Sequence, residues 1–222
     1  NPPVRAGEDT VMSHRAELTG AHTASTPRLR LQCIMIFLAL ATSLPACAHG
    51  EKPRLRVHFL DVGGDCTLFH VGDHTILIDA GVSARGPMVL DFIRRQGIDK
   101  IDLMIGTHPH QDHVGGLITI LRNLPVTRVL DNGLGAQEMD DYGRKVAEDF
   151  RRAIAESNAE LVLARAGQRY VVGPLSMEIL HPVAKTLERH TINNTSIVCR
   201  IDFGETSFLM TGDAGDVEYG AE

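Results

Sequence analysis

"GTHPHQDHVGG" (residues 106–116) places three histidines and one aspartate within positions 108–113. It follows "IDLMIGT" (residues 101–107), a continuous apolar run of strand length, which is the pattern of a strand buried on both faces. It leads into "VGGLITILRNL" (residues 114–124), which reads as a helix. The junction is therefore loaded with imidazole and carboxylate groups. Crowded together without a cation, they would leave costly polar groups unpaired. His108 and His110 are two apart, so on an extended segment they point the same way. Two imidazoles can then reach one metal ion at about 2.0–2.1 Å. Asp112 and His113 are adjacent, point in different directions, and can begin a second site. Pro109 stiffens the loop, and Gly115 and Gly116 are expected to let the backbone pass close to the ions.

Working outward, two other apolar runs end in a carboxylate ahead of small residues. "TILIDAG" (residues 75–81) delivers Asp79, and "FLMTGDA" (residues 208–214) delivers Asp213. A buried carboxylate at a strand end needs a positive partner, and Asp213 is the better candidate for reaching the ions from afar. The histidines at 14, 22, 49, 58, 70 and 74 read as ordinary solvated side chains. His181 and His190 read as either solvated groups or further ligands.

Between these points the pattern alternates between strand and helix. In "LRVHFLD" (residues 55–61), Leu55, Val57 and Phe59 share one face, and Arg56 and His58 the other. "CTLFHV" and "HTILIDA" follow after short glycine turns, which suits a hairpin meander. "PMVLDFIRRQG" (residues 87–97) is a helix stopped at Gly97. "VTRVLDN" is a strand. Residues 139–158 form an amphipathic helix, with Val146, Phe150 and Ile154 on one face. "AELVLAR", "QRYVVG", "LSMEILHP", "TSIVCRIDF" and "TSFLMTGDA" are strands, the last two a hairpin turning at Gly204-Glu205. Mixed sheets covered by helices follow, with ligands gathering at the carboxyl ends of strands.

The chain has 222 residues, enough for one sizeable domain and an extension, and 43% of them are hydrophobic. Its net charge of −6 gives no electrostatic case for broad nucleic-acid binding. A nucleic-acid substrate held through metal ions is compatible with it. Residues 1–53 differ from the rest and read as a leader, with the folded domain over 54–222. Arg28 and Arg30 precede an apolar run over residues 31–44 that ends in small residues, the form of a secretory signal. The run is shorter than the ~20 residues a spanning helix needs. "LPAC" (residues 44–47) resembles a bacterial lipobox, which would make Cys47 the lipid-bearing residue. The chain is thus expected to be exported: periplasmic, or tethered to the membrane as a lipoprotein through its N-terminal segment, with secretion as the alternative. Cys66 and Cys199 sit in separate apolar runs and are expected to be two buried thiols.

With these motifs in view, residues 55–216 resemble the metallo-β-lactamase superfamily. "THPHQDHVGG" matches its His-x-His-x-Asp-His signature, and "ILIDAG" and "FLMTGDA" match two further motifs. "VHFLDVGGDCTLFHVGDHTILIDAG" (residues 57–81) and "NNTSIVCRIDFGETSFLMTGDA" (residues 193–214) are most similar to the β-lactamase-like domain of ComEC-type DNA-uptake proteins and their stand-alone relatives.

The resemblance implies an α/β fold, a four-layer αββα sandwich. It implies metal ions, usually two Zn2+, although the mixed donors also suit Mn2+ or Fe. By it, His108 and His110 bind the first ion, Asp112 and His113 bind the second, and Asp213 bridges both. Asp112 and Asp213 are then also the candidate catalytic residues, and Asp79 orients the site from behind. A bridging hydroxide would attack an ester, amide or phosphodiester. A phosphodiester or nucleic-acid-like substrate is the leading expectation. The alternatives are a lactone, thioester or β-lactam substrate, or a metal-binding accessory module of a DNA-uptake system without turnover.

Three features depart from the family pattern. "VGGD" is one residue shorter than the usual "VGxGD" loop. "INNTS" stands where many members carry another histidine, which places Asn194 near the ions. The family's last histidine would fall beyond Glu222, so the domain is expected to be C-terminally incomplete.

Overall fold

The alternating and continuous apolar runs fold into two sheets. The computed structural model describes residues 53–133, 139–183 and 191–215, so the leader, with Cys47, and His190 lie outside the described residues. β1 (Arg56–Phe59), β2 (Thr67–Val71) and β3 (His74–Ile78) make the expected antiparallel meander. β4 (Ile101–Gly106), β5 (Val126–Asp131) and β6 (Glu160–Leu163) extend the sheet in parallel, in the order β1-β2-β3-β4-β5-β6. β7 (Arg169–Val172), β8 (Leu175–His181), β9 (Val198–Phe203) and β10 (Thr206–Met210) form a separate antiparallel sheet, ordered β10-β9-β8-β7.

Parallel neighbours need crossovers, and the helices supply them. α1 (Gly86–Arg95) joins β3 to β4, α2 (Gln111–Asn123) joins β4 to β5, and α3 (Asp141–Glu156) joins β5 to β6. All three bury their apolar faces in one cluster against the first sheet, through Val89 and Ile93, Leu117 and Ile120, and Val146, Phe150 and Ile154. A second cluster fills the space between the sheets. β4 serves both: Ile101 and Met104 face the helices, while Leu103 and Ile105 face the second sheet. The result is the expected α/β sandwich, layered helix, sheet, sheet. Among the described residues no helix covers the outer face of the second sheet, where Val171 and Leu209 are 77% and 61% exposed. Cys66 and Cys199 are separate, buried and unpaired, and burial pushes each thiol up to about 12.

Three local expectations are corrected. Phe59 does not share the burial of Leu55 and Val57. It is 69% exposed, at the end of an edge strand with a neighbour on one side only. His58 and His70 are not solvated. The face of β1 and β2 that carries them lies under α1, so His58 packs edge-on against Phe92 with ring centroids 5.1 Å apart. His70 is buried, and its Nε2 donates to the Gly72 carbonyl at 2.8 Å.

Gly115 and Gly116 serve helix packing. α2 begins at Gln111, so both glycines lie inside it. A Cβ on Gly116 would stand 2.0 Å from the Ala80 carbonyl oxygen, and one on Gly115 would stand 2.5 Å from the Ser83 nitrogen. They let the helix lie against the chain leaving β3. Gly116→Ala gains about 1 kcal/mol of helix propensity, yet is expected to lose more through the clash, about 1–3 kcal/mol net. A thermal midpoint lowered by several degrees would show it; an unchanged or raised midpoint would refute the close packing.

Candidate metal centre

The carboxyl ends of β3 and β4 carry the first parts of the centre. Asp79 follows β3 with φ +55°, a left-handed conformation that aspartate tolerates better than most residues. It is fully buried. Its Oδ1 accepts the Thr107 N–H at 2.8 Å, and its Oδ2 accepts the Thr107 hydroxyl at 2.7 Å. Oδ2 also lies 2.9 Å from His113 Nδ1. Thr107 and His108 follow β4, and Asp112 and His113 open α2, whose N-cap is His110. From the second sheet, the Thr107 carbonyl accepts Ile197 N–H at 2.8 Å, which brings Ser196 against His108. Asp213, just past β10, donates its backbone N–H to Ser196 Oγ at 3.2 Å.

These contacts dictate where the imidazole protons lie. Ser196 Oγ gives its hydrogen to the Asn193 carbonyl at 2.7 Å, and Thr107 Oγ1 gives its hydrogen to Asp79. Both hydroxyls therefore present only lone pairs to His108 Nδ1, at 3.2 Å each, and that nitrogen must be the donor. His108 Nε2 is left bare. It faces His110 Nδ1 at 3.1 Å and Asp213 Oδ2 at 4.0 Å. His113 Nδ1 donates to Asp79, so its Nε2 points the other way, 3.3 Å from Asp213 Oδ1 and 4.0 Å from Asp112 Oδ2. Two ligands of a tetrahedral ion at the usual nitrogen distance stand about 3.3 Å apart. The spacing and chemistry of these donors fit a divalent cation.

His108, His113 and Asp213 each offer a ligand atom within 4.8 Å of the others. His108 and His113 are buried, while the Asp112 and Asp213 side chains are 46% and 36% exposed. Every residue marked out in the sequence signature thus lies in one place, with Asp79 behind it. His181 joins neither cluster; its Nδ1 is 2.9 Å from the Ser196 carbonyl. Asn194 is turned away, accepting Gly215 N–H at 3.2 Å.

The sequence did not mark Asp65, Thr107 or Ser196. Asp65 lies within 4.8 Å of both Asp79 and His113. Its loop is pinned where the Asp65 carbonyl accepts Gly81 N–H at 2.9 Å. Gly64 (φ +152°) carries the loop so close to Asp112 that a Cβ would meet the Asp112 carbonyl at 1.9 Å. The "GGD" triplet signalled a turn, and a turn aspartate looks the same in sequence whether or not it faces a site. Thr107 and Ser196 carried no signal of their own, since their role comes from partners distant in the chain.

The family model for the metallo-beta-lactamase superfamily matches residues 60–217. The chain belongs to that superfamily. The chain is 29% identical over 190 residues to recombination protein 2 of Haemophilus influenzae, covering 83% of this chain and 21% of that protein. It is 27% identical over 201 residues to ComE operon protein 3 of Bacillus subtilis, covering 82% and 24% respectively. The chain thus spans about a quarter or less of the length of these relatives, which agree with the ComEC-type likeness read from residues 57–81. A metallo-β-lactamase of Cronobacter sakazakii superposes with a TM-score of 0.52 at 17% identity, covering 74% of this chain and 62% of that one, which supports the fold alone.

Electrostatics divide the metallo-β-lactamase site into two halves. Burial, then the neighbouring His113 and His110, pushes His108 down to about 2. Burial also lowers His110, against the opposing charge of Asp112. At His113 burial works against the charge, but the hydrogen bond to Asp79, with the charges of Asp79, Asp213 and Asp112, outweighs it and raises the group to about 9. Burial raises Asp65.

Proposed function

We propose that this chain is an exported, divalent-metal-dependent hydrolase acting on a phosphodiester, nucleic-acid-like substrate. The observation that carries the reading is the convergence of His108 Nε2 and His113 Nε2 on the Asp213 carboxylate, with His110 beside them. On this reading His108 and His110 would hold one ion and Asp112 and His113 a second, with Asp213 contributing to both. Zn2+ suits the mixed nitrogen and oxygen donors, as do Mn2+ and Fe. When bound, such ions lower the pKa of water toward ~7 and neutralise charge on the bond under attack.

The protein's own groups do the rest. Asp79 and Thr107 fix the His113 and His108 tautomers, as outer partners of metal ligands do. The half-exposed carboxylates of Asp112 and Asp213 lie where substrate can arrive, and either could accept the proton of the attacking water. The relatives named for recombination and for the ComE operon lend the nucleic-acid preference its support. Export rests on the leader, with lipid attachment at Cys47; among the described residues no helix is long and apolar enough to cross a membrane.

Metal uptake should depend on pH with a definite sign. Below about 9 the His113 ring carries a proton that an ion must displace. Affinity should therefore rise with pH up to about 9, about tenfold per unit for one displaced proton. Zn2+ titration of the metal-free chain at pH 7 in weak buffer should release about one proton from this group; no release would contradict the assignment. The function is tested by supplying the metal-loaded chain with bis(p-nitrophenyl) phosphate, an oligonucleotide, a lactone and a β-lactam. Metal-dependent turnover of the first two supports the reading, preference for either of the last two corrects the substrate, and no turnover of any favours the accessory module.

A further inference from the structure

An asparagine side chain, that of Asn193, stands beside His108 and His110, and its amide oxygen is buried without a hydrogen bond. Asn193 opens the short 3-10 turn Asn193–Thr195 that precedes β9. Its backbone is fixed by Ser196: the Asn193 carbonyl accepts the Ser196 hydroxyl at 2.7 Å and the Ser196 N–H at 3.0 Å. The same Ser196 Oγ meets His108 Nδ1 at 3.2 Å and the Asp213 N–H at 3.2 Å. One hydroxyl therefore ties Asn193, His108 and Asp213 into a single unit. Thr195 anchors the turn from the other side, its carbonyl and hydroxyl each accepting from Asn132 Nδ2 at 3.2 Å.

The Asn193 side chain lies beside both His108 and His110. Yet Oδ1 is buried and makes no well-formed hydrogen bond. An unpartnered buried amide oxygen is costly, and native structures seldom leave one without a reason. His108 Nε2, which is bare, cannot relieve it, and His110 Nδ1 is turned to that nitrogen at 3.1 Å. A cation satisfies all three donors at once.

We propose that Asn193 Oδ1 is a ligand of the cation held by His108 and His110, occupying the position at which "INNTS" lacks an imidazole. This rests on the metal-centre reading above. It corrects the expectation for Asn194, whose amide is engaged with Gly215. Two imidazoles, a neutral amide oxygen and a carboxylate make a harder donor set than three imidazoles would.

The test is titration of the full chain with Zn2+ against a chromophoric chelator, with the visible spectrum of the Co2+-loaded chain as second readout. Asn193→Ala should weaken one equivalent of Zn2+ by at least tenfold and change the Co2+ spectrum, while the metal-free fold stays intact by circular dichroism. Asn193→His should restore or exceed wild-type affinity and move the Co2+ bands, because nitrogen replaces oxygen. Wild-type affinity and an unchanged spectrum in Asn193→Ala would overturn the proposal. Should that variant fail to fold, an unchanged Co2+ spectrum in Asn193→His would overturn it equally. A wild-type chain that binds no Zn2+ or Co2+ would overturn the metal-centre reading and this inference together.

Discussion

His110→Ala and Asp213→Ala are each expected to strip metal from the chain and lower turnover by at least about 10³-fold. Removing His110 leaves His108 Nε2 without the neighbour it meets at 3.1 Å. Removing Asp213 takes away the carboxylate that faces His108 at 4.0 Å and His113 at 3.3 Å, so both halves of the centre lose a group at once. Metal assistance in hydrolysis is worth several kcal/mol, and each 1.36 kcal/mol is about tenfold in rate, which sets the scale of the loss. Neither side chain is part of an apolar core cluster, so the fold should survive. Metal analysis by mass spectrometry, beside the hydrolysis rate, is the check. Full metal content with full rate in both variants would defeat the site.

The second large effect belongs to Asp79, which touches no substrate. Its carboxylate receives the Thr107 N–H, the Thr107 hydroxyl and His113 Nδ1, all buried. Asp79→Ala leaves all three without an acceptor and breaks a buried pair, which typically costs about 3–5 kcal/mol. Alanine at φ +55° adds about 1–2 kcal/mol of backbone strain. Asp79→Asn separates the two roles. Asparagine tolerates the left-handed conformation and keeps the shape, but its NH2 group cannot accept. One of the Thr107 or His113 donors is then opposed by another donor. The fold should hold, with metal affinity reduced about 10–100-fold, the usual effect of losing the outer partner of a ligand. Thermal unfolding read beside metal titration distinguishes the cases; unchanged affinity in Asp79→Asn would show that His113 does not depend on this carboxylate.

Much of this was legible in sequence, for identifiable reasons. Val146, Phe150 and Ile154 recur at helical spacing, and α3 buries them together. The unbroken run in residues 101–107 became β4, buried on both faces because helices cover one side and the second sheet the other. Ligand-bearing residues were visible where they were crowded, at positions 108–113, or ended an apolar run, at Asp79 and Asp213.

What escaped notice depended on contacts between distant segments. Alternation in β1 shows that Arg56 and His58 share a face, but not that α1 covers it, so His58, expected to be solvated, packs against Phe92 instead. Gly115 and Gly116 were expected to let the backbone pass close to the ions; the close approach of Ala80 and Ser83, which explains both glycines, is invisible locally. Asp65 looked like a turn residue. The choice between Asn193 and Asn194 depends on about a third of a turn in a 3-10 segment, which no periodicity resolves.

X-ray absorption at the metal edge of the Zn2+-loaded chain, joined to anomalous diffraction from its crystals, interrogates the centre most directly. Zinc should be found between β4 and the turn after β10, about 2.0–2.2 Å from nitrogens of His108, His110 and His113 and from an oxygen of Asp213. Zinc bound elsewhere, or bound with Asp213 far outside coordination distance of all three histidines, would contradict the reading from which the proposed hydrolysis follows.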